Sequence, residues 1–235
     1  MFVAFAVAAG CYAQAVSGFG FGLIASPLIA AVEGPHAAVV GVAVVATLQS
    51  LYVIRRLRPD VRWRAVGLIT GASLLGMPLG LVIFSQLSRR ALTEFIGILV
   101  IGFAAALWRG WRLPDTRLTE VLAGIVSGSL ATSTGTSGPP IVITFHGRGL
   151  EPNEFRASLA GVFTLQGLAA IALFAAGGKF AADVWRVIVV GTPAMILGWL
   201  AGNKTFSRID PDRFRRIVLG MLVVSGLVAL LGAVL

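Results

Sequence analysis

Charge is what this sequence has least of. Only 12% of its 235 residues are Asp, Glu, Lys or Arg, about half of the ~25% with which a soluble domain covers its surface. Such a chain cannot coat a globule with polar side chains. Cysteine is almost missing: Cys11 stands alone, so an intrachain disulfide and a multi-cysteine metal site are both excluded. With His36 and His146 as the only histidines, neither a metal nor another cofactor is expected. Cys11 lies in an apolar stretch and reads as a small buried side chain. A basic run ahead of the first apolar segment is also missing, so that segment is expected to belong to the mature fold and not to a cleaved signal.

What is present is apolar. Hydrophobic residues make up 57% of the chain and the mean hydropathy is +0.91, which predicts an all-α integral membrane protein with several spans. The net charge of +9 comes from short clusters of Lys and Arg between apolar runs. That is the pattern of loops at a membrane and not of a basic domain face, so the lipid bilayer is the expected partner and nucleic acid is not.

The chain is written twice. Residues 63–85 align with 185–207 at an offset of 122, with nine of 23 positions identical. Trp63/Trp185, Arg64/Arg186, Leu75/Leu197, Gly76/Gly198, Gly80/Gly202 and Phe84/Phe206 are among them. Residues 35–54 match 152–171 at an offset of 117, including a shared Thr-Leu-Gln at 47–49 and 164–166. Internal duplication of this kind is common in secondary transporters. It divides one transmembrane domain into repeats over 1–113 and 114–235.

Each repeat offers three spans, 36–54, 65–86 and 91–108, then 157–176, 186–206 and 214–235. Ahead of each triplet lies an apolar segment with a polar, Gly-rich centre, 2–32 and 118–146. A crossing takes about 20 residues, so these segments, 31 and 29 residues long, are too long for one crossing and too short for two. Each reads as a membrane-embedded hairpin that enters and leaves on one side. The loops test this. With hairpins, the two repeats are inverted, the inside loops hold 15 Lys and Arg, and the outside loops hold four. With single crossings the split is ten to nine. The positive-inside rule selects inverted repeats, with both termini outside.

The two hairpin tips are "SGFGFG" at 17–22 and "TSTGTSGPPIV" at 132–142. Inverted hairpins enter from opposite faces, so their tips are expected to meet near the midplane. Each returning arm begins with a helix N-terminus, whose first N–H groups lack an intrahelical partner and favour negative charge. Pro139 and Pro140 suit the first turn of such a helix. Gly18, Gly20, Gly22, Gly135 and Gly138 admit a ligand close to the backbone, Phe19 lies between two of them, and Ser17, Ser133, Thr134, Thr136 and Ser137 add hydroxyls. Together they describe a substrate-binding site for an anion. The competing reading is that small residues and hydroxyls serve helix packing.

Gln49 and Gln166 occupy matching places within apolar helices, where a buried amide needs partners. They are the remaining candidates for substrate contact, and linking helices is their alternative role. Asn203, matched by Leu81, ranks below them. His36 and His146 fall near hairpin feet, where interfacial packing is the default and proton handling the alternative. Trp63, Trp185, Trp108 and Trp111 are expected in interfacial belts. No charged residue falls in the middle of any span. A site of neutral donors suits a weakly hydrated monoanion, because no fixed cation offsets the desolvation of a dianion.

The Gly-rich "SGFGFGLIASPLIA" and "GIVSGSLATSTGTSGPPIVITFHGRGLEPNEFRASLAGVF" resemble the TauE/SafE family of sulfite and organosulfonate exporters. The likeness extends over nearly the whole chain, although many members carry a more Gly-rich second tract. It implies a prokaryotic inner-membrane permease that moves sulfur-containing anions such as sulfite, sulfoacetate or taurine-derived sulfonates, with the hairpin tips holding the sulfonate oxygens. The expected function is therefore a secondary transporter, an exporter working by alternating access, and not an enzyme. Alternatives are a small-anion channel and a transporter of non-sulfur organic anions. A hydrolase using Ser17 or Ser137 with His36 or His146 is disfavoured because the histidines lie far from the tips. A homodimer and a coupling ion, proton or sodium, are compatible with the sequence.

Overall fold

The computed structural model describes residues 1–110, 114, 116–146, 148 and 150–206. The span expected over 214–235, Trp111 and most of the last inside loop lie outside the described residues. Within them the chain is helical, with no strand. In order come α1 (Phe2–Ser17), α2 (Phe21–Glu33), α3 (Pro35–Leu57), α4 (Trp63–Gln86), α5 (Arg89–Trp108), α6 (Arg117–Ser133), α7 (Gly138–His146), α8 (Pro152–Ala176) and α9 (Ala182–Phe206). Among the described residues, the helices at Pro35–Asp60, Trp63–Gln86, Pro152–Ala176 and Ala182–Thr205 are long and apolar enough to cross a membrane.

The two polar-centred segments are each broken helices. In the first, α1 ends where Gly18 turns left-handed (φ 83°) and donates its N–H to Gln14 O at 2.8 Å. Gly20, also left-handed (φ 98°), starts α2. A side chain is strained in that conformation, so two glycines so close together stop one helix and restart another. In the second, Thr134–Ser137 separate α6 from α7, and Pro139 and Pro140 fall in the first turn of α7, where a missing N–H costs least. The arms are less even than the sequence suggests. At 1.5 Å per residue, the 16 and 17 residues of α1 and α6 rise about 25 Å, while the nine of α7 rise only about 14 Å.

Glycine sets how the helices pack. A Cβ on Gly76 would meet Ile125 O, one on Gly80 would meet Ser129 O, and one on Gly128 would meet Ser73 O, so α4 and α6 touch backbone to backbone. Ser129 Oγ donates to Gly76 O at 2.9 Å and Thr132 Oγ1 to Met77 O at 2.7 Å across the same seam. The matching glycines of α9 do the same to α1, with Gly198 against Ala8 and Gly202 against Tyr12. Small residues four apart allow this approach in membranes, where dispersion and interhelical hydrogen bonds replace the hydrophobic drive. In both seams the contacts advance together along the two helices, so α6 runs parallel to α4 and α1 parallel to α9. By contrast α8 runs against α3: Gly167 faces Thr47, while the earlier Ser158 accepts from the backbone N–H of Arg62 at 3.0 Å.

The centre is the largely buried α3, packed against α2, α8 and α9. Outward, α4, α5, α8 and α9 expose Leu75, Leu79, Ile98, Leu168, Val189 and Leu197. So continuous an apolar face suits lipid and not water. Trp63, Trp185 and Trp108 are also exposed.

Candidate functional site

The two breaks come together in the interior. A Cβ on Gly22 would collide with the carbonyl oxygen of Gly135, and the fully buried Ser26 donates its hydroxyl to Thr134 O at 2.7 Å. Gly138 lies beside Phe19, whose Cβ is 3.6 Å from where its own Cβ would stand. A cavity of about 60 Å³ opens at this meeting. Its walls are Gly20–Leu23 from the first break and Gly135–Gly138 from the second, with α3, including Thr47, and α8, including Phe163 and Gln166, closing the sides. Gln14 of α1 also reaches it. None of the lining residues carries a charge. At roughly 10–15 Å³ of such space per water, the volume admits about four to six water-sized groups, the size of a small oxyanion.

Among the residues singled out in the sequence, Gly20, Gly22, Gly135, Thr136, Ser137, Gly138 and Gln166 line the cavity. The others are near it with different contacts. Ser17 Oγ lies 2.8 Å from Ala13 O and 2.7 Å from Phe19 O, and accepts from the Phe19 N–H, so it closes the turn after α1. Gly18 faces Arg156, and Phe19 packs between the two apolar clusters of the protein. Gln49 donates Nε2 to Cys11 O at 3.1 Å, tying α3 to α1. Thr134 bonds Leu130 O at 3.0 Å and the Thr136 hydroxyl at 2.6 Å.

The hydroxyls of the second tip therefore divide by partner. Thr132 bonds across to α4, and Ser133 bonds back to Ser129 O at 2.7 Å. Both serve packing. Thr134 gives its one proton to Leu130 O, so Thr136 donates to Thr134, while Ser137 Oγ has no partner among the described residues and is the hydroxyl a ligand can use. Backbone donors are uneven as well. Phe21 and Gly22 hold first-turn N–H groups of α2 that have no intrahelical acceptor. In α7 two of the equivalent positions are proline and offer none.

Sequence reading missed Gln14 and Thr47. It also placed Arg156 in a loop. In the structure Arg156 belongs to α8, is only 8% exposed, and donates Nη2 to Ala15 O at 2.6 Å. A guanidinium there neutralises the carbonyl end of α1, where helix dipoles favour a cation. Lengthening the apolar span backward from 157 would have brought it into view. His36 Nε2 lies 3.1 Å from Phe84 O, away from the tips; the side chain of His146 lies outside the described residues. Ion pairs sit at helix ends: Arg186 with Glu33 at 3.0 Å, Arg62 with Glu154 at 2.9 Å and Arg148 with Glu120 at 2.6 Å.

Known sequences agree on one lineage. Similarity runs over 96% of this chain, at 28% identity, to a probable sulfite/organosulfonate exporter TauE of Cupriavidus necator, of which it covers 91%. A probable inner membrane transporter protein TsaS of Comamonas testosteroni is 29% identical over 72% of this chain and 72% of its own length. No solved structure matches. The sequence profile described as sulfite exporter TauE/SafE matches residues 2–229, and with duplicated apolar helices around an uncharged interior cavity the chain belongs to the TauE/SafE sulfite exporter family.

Proposed function

We propose that the protein is a secondary transporter of the inner membrane that exports small sulfur-containing anions, such as sulfite or an organosulfonate, by alternating access. The observation that carries this is the meeting of two helix breaks around an uncharged cavity of oxyanion size. The anion binds there between Gly20–Gly22 and Gly135–Gly138. Its oxygens accept from the hydroxyl of Ser137 and from the first-turn amides of α2, beside Thr136. Phe163 and the α3 wall line the other sides with apolar surface, which lowers the local dielectric around each donor. Relatives named as a sulfite/organosulfonate exporter and an inner membrane transporter support the same class.

The repeats, 1–113 and 114–235, are inverted about an axis in the membrane plane, and both termini face outward. Helix directions support this. In inverted repeats, α3 and its counterpart α8 run antiparallel, whereas in parallel repeats they would run the same way. The observed contacts follow the inverted pattern. Each hairpin then packs on the opposite repeat through the glycine seams, and rocking at those seams exposes the cavity to one side at a time.

Reconstituted protein tests the reading. Labelled sulfite or a short sulfonate should enter proteoliposomes with saturable, counterflow-competent kinetics, and Thr136→Ala/Ser137→Ala should raise the half-saturation concentration. Linear, non-saturable flux would make the protein a channel. Unchanged kinetics in the double variant would move the site elsewhere.

A further inference from the structure

The matched glutamines of the two repeats divide their amides in the same way. Gln49 Nε2 donates to Cys11 O, which fixes the orientation of the amide because a carbonyl can only accept. Its Oε1 is buried without a partner among the described residues. Gln166 Nε2 donates to Ser127 Oγ at 3.0 Å. Ser127 has one hydroxyl proton. It stands 2.7 Å from Ser137 O and 3.3 Å from Gln166 Oε1, so the proton belongs to the Ser137 carbonyl. Each amide nitrogen thus gives an N–H to the first arm of a hairpin, and on these side chains, 1% exposed, Gln49 Oε1 has no partner among the described residues while Gln166 Oε1 has only the 3.3 Å contact to a hydroxyl whose proton is already taken. Only Gln166 lines the cavity.

An open buried acceptor is costly and calls for a donor. A fully deprotonated oxyanion has none to offer and would face the negative end of the amide dipole. A ligand that satisfies both the tip donors and Gln166 carries an O–H beside its anionic oxygens, in a volume of about 60 Å³. Resting on the anion-transport reading, we infer that the cavity takes sulfite as its protonated monoanion, hydrogen sulfite, whose O–H is donated to Gln166 Oε1. The remaining oxygens face Ser137 and the first turn of α2. Each transported ion then moves one proton and one negative charge together, and no carboxylate relay is required.

The lining residues contain no titratable group. On the elements packed against α8, the charged and titratable groups are His36, Tyr52, Arg55 and Arg56 on α3, Arg58 and Asp60 after it, Arg64 on α4, Arg117 and Glu120 on α6, and His146 ending α7. On α8 itself Glu154 pairs with Arg62 and Arg156 bonds Ala15 O. A proton effect from any of these would act on every substrate alike.

The test compares sulfite with methanesulfonate in proteoliposomes of the full chain across the hydrogen sulfite/sulfite equilibrium. Methanesulfonate stays a monoanion and has no donor. Half-saturation in total sulfite should rise about tenfold per pH unit on the alkaline side, because apparent affinity scales with the competent fraction. Methanesulfonate should bind weakly with no pH dependence, or not at all. Gln166→Met should weaken sulfite several-fold more than it weakens methanesulfonate. A flat sulfite profile, a pH shift shared by both substrates, or equal weakening of both by Gln166→Met overturns this inference and leaves the transport reading intact. Transport of neither anion would overturn both. The wild-type pH series decides even if the variant does not fold.

Discussion

Replacing Gly22 by alanine challenges the meeting of the two hairpins with one methyl group. The new Cβ would lie inside contact distance of Gly135 O and 3.3 Å from Thr136 Cα. Ordinary Cα–H···O contacts begin near 3.3 Å, so the two backbones must part by roughly an ångström. Overpacking of this kind costs about 1–3 kcal/mol, and in a chain of this size each kcal/mol lowers the melting temperature by about 2–4 °C. Binding should suffer more than folding, because an ångström of misplacement in a site costs up to ~100-fold. Half-saturation for sulfite should therefore rise roughly tenfold to a hundredfold, measured in proteoliposomes alongside thermal unfolding in detergent. Gly71→Ala is the control. Nothing lies within 4 Å of its added Cβ, and alanine in a helix interior gains about 0.5–1 kcal/mol over glycine. Wild-type affinity and melting in Gly22→Ala, or equal damage from Gly71→Ala, would refute the reasoning.

Three further outcomes are expected. Gly80→Ala and Gly202→Ala should each lose about 1–3 kcal/mol by forcing a seam apart, and an unchanged melting temperature in either would contradict the seams. Thr132→Val should cost about 0.6–1.7 kcal/mol of stability through its bond to Met77 O without changing substrate affinity. Ser137→Ala should do the reverse, with affinity down about fivefold or more for one lost hydrogen bond; interchanged effects would undo the division of the hydroxyls. Arg156→Met should lower stability by about 1.5–3 kcal/mol, the worth of a hydrogen bond to a charged group, read by thermal unfolding, and a neutral result would show that α1 does not depend on it.

The helical breaks were legible because glycine and proline act locally. "SGFGFG" and "TGTSGPP" cannot continue a helix whatever surrounds them, and breaks fall at both. Four of the six expected spans were legible for a similar reason, since apolar length is a local property, though α3 and α8 reach a few residues past the expected ends. Partners were not legible. Thr132, Ser133, Thr134, Thr136 and Ser137 look alike in sequence, yet the first two bond to packing carbonyls and the last has no partner among the described residues. The deciding quantity is the rotation of α6 against α4, which Gly76, Gly80 and Gly128 set through backbone contact. The duplication carried a comparable ambiguity. Its shared Leu75/Leu197 faces lipid and its shared Gly76/Gly198 faces the opposite repeat's hairpin, and identity alone does not separate those roles. Arg156 was hidden by a boundary: counted with the loop before α8, it sits within the helix with its charge against the end of α1.

Density for a bound anion would test the central claim most directly. A structure of the protein with sulfite, recorded with anomalous signal from sulfur, should show a peak between Gly20–Gly22 and Gly135–Gly138, within hydrogen-bond reach of Ser137 Oγ and Gln166 Oε1. A peak at the helix ends beside Arg89 or Arg186, with the interior cavity holding only water, would contradict it.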